Sequence, residues 1–441
     1  MVLLLGSQFM IAVDFSVLNV ALPAIGRGLG FSQGGLQWIS TAMMLPSAGF
    51  TLLFGRLADL AGRRRMLLAG MALLAVGSLA GGLAQGPGMM LAARAAQGLA
   101  SALATPAALS LLTTALPEGP LRDRALALNG MLLSAGFTVG AIFGGVLTDL
   151  LSWRWAFLVN VPVAAAVLLA APSVVAESRG ARTRLDLPGA ATVTGGLLAL
   201  VYGVTSAGQR GWGDPSALAW LAGAAVLLAA FWRIELRAAA PLAPVRVLTR
   251  PSVMWGNLGG LATFSMESSL VFLLTLYMQQ TLGYNPLQTG LAFCGLGVAA
   301  FGGGLAAPRL IVRFQARRVL VAGLLLQAVA TAAMFWLGDG LNGGLAGGGA
   351  LVLLLAATSA GALGHISAIV GYMVTATSGL PDEEQGLATG LASMTQQVGI
   401  TLGTPVLSAV LAATTLHTAL LTDAGVLLAA GAAVGLALRR A

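Results

Sequence analysis

Two carboxyl groups stand where a carboxyl group is hardest to keep. Asp14 and Glu267 fall near the middle of long apolar runs, whereas most of the 15 acidic residues lie in loops or at run ends. A charge at the centre of a bilayer costs roughly 2.5–3.5 kcal/mol on insertion scales, so an acid retained there is either paired or used. Its use would be to carry a proton, loading and releasing it as the surroundings change. The plain alternative is a carboxyl group tied to an arginine or hydroxyl for packing. Arg94 is the one basic residue well inside a run, the others lying within two residues of a run end or in loops. A guanidinium at that depth needs an acid, a carbonyl or trapped water as partner; Asp14 and the backbone of the first run are both open. His365 also sits inside a run, where an imidazole could pass protons or serve as a satisfied core histidine. With it, Asn19, Gln97, Asn257, Tyr277, Gln279, Gln396 and Gln397 are the polar candidates for meeting a passing solute. The 15 methionines would give such a path a pliable apolar wall suited to amphipathic molecules.

These residues need a scaffold that lies in a membrane. Hydrophobic residues make up 57% of the 441 and charged residues 9%, against roughly 25% charged in soluble domains. Apolar runs of about 20 residues recur along the chain, each long enough to cross about 30 Å of hydrocarbon as a helix. Membrane β-barrels need short alternating segments instead and are excluded. Helical spans are expected at 3–25, 37–58, 66–85, 88–113, 126–149, 155–174, 188–208, 216–235, 252–282, 287–311, 318–337, 350–378, 386–412 and 418–437. The first begins at Val2 without a basic leader and reads as a span, not a cleaved signal.

The net charge of +8 does not indicate nucleic acid, because the arginines sit in short loops where they orient helices. With both termini cytoplasmic, 19 arginines lie inside, including Arg56, Arg63, Arg64, Arg65, Arg122, Arg124, Arg182, Arg184, Arg439 and Arg440; three (Arg27, Arg154, Arg210) lie outside. An even number of spans follows from that bias. Cys294 is the only cysteine, so no disulfide forms within the chain, and with two histidines no metal-binding cluster is expected.

Two motifs carry conformational rather than chemical signals. Gly55, Asp59, Gly62, Arg63 and Arg64 occupy the loop after the second span. They could form a latch that closes in one conformation and opens in another; positive-inside anchoring also explains the arginines. Gly136, Gly140, Gly144 and Gly145 place small residues along one face of the fifth span, where a partner helix can approach closely. Spans 5 and 8, or their equivalents, are the expected seam. Displaced by 253 residues, the Gly55–Arg65 loop returns as Pro308–Arg318, with Arg56 over Arg309 and Leu57 over Leu310. Two six-helix bundles, 1–176 and 251–441, joined by a linker with two additional helices at 177–250, would produce that offset. Such repeats place a solute at mid-membrane between halves that alternate in access.

The chain thereby resembles the major facilitator superfamily, in particular its fourteen-spanner drug–proton antiporter branch, over essentially its full length. The resemblance rests on Asp14 with Asn19-Val-Ala-Leu-Pro23, the Gly55–Arg65 loop, Arg94-Ala-Ala-Gln97-Gly98, the glycine series and Trp153-Arg-Trp-Ala-Phe-Leu-Val-Asn-Val-Pro162. It departs at Ala141, where the family usually carries proline. The resemblance implies a bacterial inner-membrane transporter, a monomer needing no cofactor beyond the proton gradient. It would export small amphipathic or cationic compounds (drugs, antibiotics or a secondary metabolite) in exchange for protons, with Arg94 in proton coupling. Proton-coupled uptake and uncoupled facilitation are the alternatives. No phosphate-binding GxxxxGK[ST] sequence and no HExxH occur, which argues against an ATP-driven pump and a membrane metalloenzyme.

Overall fold

In hydrocarbon every backbone N–H and C=O must be satisfied within its own segment, which leaves apolar runs of this length one regular form, the α-helix. The computed structural model describes the chain except residues 33–34, 116–119, 180–185, 239–240, 242–244, 339–344, 346, 379, 381 and 439–441. The side chains at 113, 120–124, 126–127, 130–131, 133–134, 137–138, 347, 382–387, 389 and 393 are likewise outside the description. Of the orienting arginines, Arg182, Arg184, Arg439, Arg440 and the side chains of Arg122 and Arg124 therefore lie outside the described residues.

The helices are α1 (Val2–Leu29), α2 (Gln37–Ala61), α3 (Arg63–Gly82), α4 (Pro87–Ala115), α5 (Pro120–Leu150), α6 (Trp155–Val174) and α7 (Leu187–Arg210). They continue with α8 (Pro215–Glu235), α9 (Pro251–Thr281), α10 (Pro286–Phe314), α11 (Ala316–Trp336), α12 (Gly347–Thr377), α13 (Asp382–Ala413) and α14 (Leu416–Ala437). Among the described residues, 13 helices are long and apolar enough to cross a membrane. The remaining expected span, 126–149, falls on α5, whose described apolar stretch is Val139–Leu150. No β-strand forms among the described residues beyond a single Leu337–Leu345 bridge. The chain is a multi-pass, all-helical membrane protein.

Local sequence sets the joints that matter for the site. Gly62 alone separates α2 from α3, at φ 119° and ψ 126°, a backbone that a β-carbon disfavours. Pro162 has no N–H to offer the Leu158 carbonyl, so α6 breaks at Val159 and restarts at Asn160. The end of α9 widens into a π-turn over Tyr277–Thr281, a form that recurs at functional positions in helices.

Two compact units can be distinguished. The first comprises 1–198, 238–242 and 285–291; the second comprises 199–237, 243–284 and 292–441. In the first, α1 packs on α5, and α4 packs on both α2 and α3. In the second, α9 packs on α12, α13 and α14, and α11 packs on α12 and α14.

The glycine face of α5 does not have a single partner. A β-carbon on Gly136 would meet the Phe9 carbonyl at 2.9 Å, one on Gly140 the Val13 carbonyl at 2.7 Å, and one on Gly144 the Val17 carbonyl at 2.5 Å. Three of the four glycines thus press against α1. Gly145 alone faces the start of α10, with the Pro286 carbonyl 2.6 Å from where its β-carbon would lie. Because α5 contacts the backbone of α1 at Val13 and Val17, it fixes the segment that carries Asp14.

Candidate functional site

Asp14 lies halfway along α1 and is 2% exposed. Three donors converge on its carboxylate. Gln97 Nε2 donates to Oδ1 at 2.9 Å, Arg94 Nη1 reaches Oδ2 at 3.4 Å, and Asn160 Nδ2 makes a short contact with Oδ1. Arg94 is wholly buried and distributes its remaining N–H groups. It donates from Nη1 to Gln97 Oε1 at 2.7 Å, from Nε to the Ile39 carbonyl at 3.2 Å and from Nη2 to Met43 Sδ at 2.7 Å. Its guanidinium carbon also lies 5.8 Å from the centre of the Phe157 ring. Ser78 Oγ completes the network by accepting from Gln97 Nε2 at 3.0 Å and Asn160 Nδ2 at 3.1 Å.

Five helices (α1, α2, α3, α4 and α6) therefore meet on one ion pair. Local packing explains how. Arg94 and Gln97, three residues apart, share one face of α4. One residue further, Gly98 lets α4 touch α2 directly, since a β-carbon there would run into the Met43 carbonyl. Gly77 does the same for α3, since a β-carbon there would lie 3.2 Å from the Ala93 carbonyl and Gln97 N. The backbone partner of Arg94 is Ile39 of α2, not the first helix. Gln97 is committed to the ion pair and has no exposed surface.

The other nominated residues sit as follows. Asn19 is buried in α1, and Asn257 is half-buried and donates to its own helix at the Val253 carbonyl. Tyr277 and Gln279 fall on the π-turn, with the Tyr277 hydroxyl donating to the Gly338 carbonyl at 2.7 Å. Gln396 and Gln397 are half-buried on α13. Glu267 and His365 join one network: Gln327 Nε2 donates to Glu267 Oε2 at 3.0 Å, Thr263 Oγ1 donates to Gln327 Oε1 at 2.7 Å, and the same hydroxyl is 2.9 Å from His365 Nδ1.

Sequence reasoning missed Asn160, Gln327, Ser78 and Thr263 in these networks, and one buried acid outside them. Asn160 stands inside a motif quoted above, yet nothing local singles it out from the rest of that motif. Gln327 meets the mid-span amide criterion that selected Gln97. Ser78 carries no signal among the small residues of α3. Asp423 corrects the expectation that only two acids lie deep in spans: α14 starts at Leu416, and Asp423, two turns in, has no exposed surface.

The loop motif forms a smaller electrostatic cluster. Asp59 accepts from Arg63 Nε at 3.0 Å and Nη2 at 2.8 Å. Arg64 turns to α6 instead, donating to the carbonyls of Pro172 at 3.2 Å and Val175 at 3.0 Å. Glu177, also missed, accepts from the Arg64 backbone N–H at 2.9 Å and lies 3.9 Å from Arg65 Nε. It thus places a carboxylate at the start of α3, where the helix dipole favours one. A β-carbon on Gly62 would strike that carboxylate at 2.8 Å, so the glycine is required by both its φ and its neighbour. Gly55 has ordinary clearance: a β-carbon there would lie 3.6 Å from Pro106 Cβ. Replacing Glu177 with alanine is expected to destabilise the protein by about 0.5–2 kcal/mol, the usual worth of a helix cap. Glu177→Gln, which keeps an acceptor oxygen, should retain most of it. Thermal unfolding of the two variants in detergent would separate capping from charge, since equal losses would mean the charge alone matters.

The Major Facilitator Superfamily pattern matches residues 4–404. The chain is 39% identical over 418 residues to a protein of Amycolatopsis lactamdurans named cephamycin export protein CmcT, covering 92% of this chain and 83% of that one. It is 37% identical over 414 residues to the puromycin resistance protein pur8 of Streptomyces alboniger, covering 93% and 81%. Among solved structures, a peptide transporter of the POT type superposes with a TM-score of 0.75 at 15% identity, over 99% of this chain and 94% of that one. At that identity the likeness concerns the fold.

Proposed function

The chain belongs to the Major Facilitator Superfamily, and from that membership we propose that it exports small amphipathic organic compounds, antibiotics among them, in exchange for protons. It is a transporter and not an enzyme. The cargo class is supported by the export and resistance names of its relatives. The proton arm is carried by one observation, the sealed network in which three donors converge on the Asp14 carboxylate.

The chemistry of that network supplies a switch. An ionised carboxylate accepts from all three donors; a protonated one has an O–H of its own and no charge to set against Arg94. Proton binding therefore breaks at least one tie and leaves a guanidinium short of its counter-ion in a low-dielectric setting. Because the ties join α1 to α4 and α6, and Ser78 links both of those to α3, a single proton changes how four helices are held. A buried interface of this kind has discrete arrangements and does not deform smoothly. Alternating access then follows if the protonated and ionised networks favour opposite openings, with proton and cargo binding in turn. Both termini lie in the cytoplasm of a bacterial cell on this reading, with the arginine-rich loops beside them.

Purified protein in liposomes loaded with a pH-sensitive dye tests the proposal. A panel of lipophilic cations and neutral antibiotics should include compounds whose addition moves protons against their own direction of travel. Cargo movement without proton movement would reduce the protein to a facilitator, and parallel movement of both would make it an uptake system.

A further inference from the structure

The second unit holds a different kind of buried cluster. Glu267 of α9 is 8% exposed and Asp423 of α14 is 0% exposed; the two helices pack on one another, and each carboxyl group feels the other's charge. Glu267 has a donor in Gln327. Neither carboxylate oxygen of Asp423 meets a hydrogen-bond partner among the described residues. The Thr331 hydroxyl of α11 is adjacent but stops short of hydrogen-bonding geometry.

Asp423 is on α14, which packs on α9, α11 and α13. α9 contributes Glu267, and α11 contributes only amides and hydroxyls at this level, its Arg317 and Arg318 standing at its first turn. From α12, which packs on α9 and α11, His365 is held by Thr263. No charged side chain is described on α13. On α14 itself His417 lies at the first turn, 2.9 Å from the Leu337 carbonyl. Two acids thus share a site with no cation among the described residues. This is the reverse of the first unit, where Asp14 faces Arg94.

Two neighbouring carboxylates cannot both stay ionised in a dry setting, and a carboxyl oxygen with no donor is satisfied most simply by a proton of its own. We propose that Glu267 and Asp423 together form a second proton-binding site, which in this conformation holds protons on both acids or shares one between them. This rests on the antiport reading for its use but not for its existence. It gives the two units unlike roles: in the first a proton would compete with a built-in cation, and in the second it would meet no cation among the described residues. A lipophilic cation could then displace that proton, which couples cargo charge to proton release at Asp423 in particular.

Infrared difference spectroscopy on the purified full chain during acid–base titration tests this without transport. The wild type should retain protonated-carboxyl C=O signals at neutral pH. Asp423→Asn should remove part of that signal and shift the titration of what remains, Glu267→Gln should remove the complementary part, and Asp14→Asn should leave both in place. Since no cation is stranded by the change, Asp423→Asn is expected to fold as well as the wild type. In detergent, binding of tetraphenylphosphonium should release about one proton fewer from Asp423→Asn than from the wild type. A wild type without protonated-carboxyl signal at neutral pH, or an Asp423→Asn spectrum identical to it, would overturn the proposal. So would stabilisation of the wild type by added sodium and not by acid, which would make the site a metal-ion site. Antiport failing in liposomes while the infrared result holds would sink the transport reading alone.

Discussion

Asp14→Asn protein reconstituted in liposomes is expected to show substrate-evoked proton movement at least about tenfold below the wild type, the loss that about 1.4 kcal/mol of coupling would give. Asparagine has nearly the shape of aspartate, so the change tests chemistry and not packing. Its amide offers one acceptor oxygen and an NH2 group where Arg94 Nη1, Gln97 Nε2 and Asn160 Nδ2 all present hydrogens. One oxygen cannot serve the three, and the NH2 must face at least one donor. The site also loses the only atom pair able to gain and lose a proton. Asp14→Glu separates the two effects: it keeps the titrating group but displaces it by a methylene, so coupling should survive at a reduced rate. Export continuing at full rate with full proton movement in Asp14→Asn would reduce Asp14 to a structural tie.

How much of this was legible before the structure depends on how far apart in the chain the cause lies. The spans were, because hydrophobicity over about 20 residues is a local property and hydrocarbon permits few alternatives. Asp14, Arg94 and Glu267 were, because a charge inside an apolar run stands out from its immediate neighbours. Asn160 and Ser78 were not, since their importance arises only when α3, α4 and α6 converge, 82 residues apart in the case of their mutual hydrogen bond. Asp423 illustrates a subtler failure. Its distance from the end of a span was read along the sequence, whereas its burial is decided by α9 and α11 lying over it. The glycines of α5 read as a close-approach surface, but periodicity has no means of naming a partner. The opposing carbonyls of Phe9, Val13 and Val17 belong to α1, more than a hundred residues earlier.

The ion pair itself makes the second large prediction. Arg94→Leu is expected to cost the folded protein about 3–5 kcal/mol, the range for breaking a buried pair from one side. Leucine fills much of the aliphatic volume but deletes the donors to Asp14, Gln97, Ile39 and Met43. It also leaves an uncompensated carboxylate that must either take a proton or open the bundle. Arg94→Lys should fare little better, because one ammonium cannot span acceptors that a planar guanidinium reaches on three nitrogens at once. The informative variant is the double one. With Asp14→Asn added to Arg94→Leu, neither charge is stranded, and the protein should recover much of the stability lost by each single change. Its proton movement should stay as low as that of Asp14→Asn alone. Thermal unfolding of the four proteins closes the cycle. A double variant no more stable than the sum of the single losses would mean that Arg94 holds the bundle through Ile39 and Met43, with Asp14 incidental to its burial.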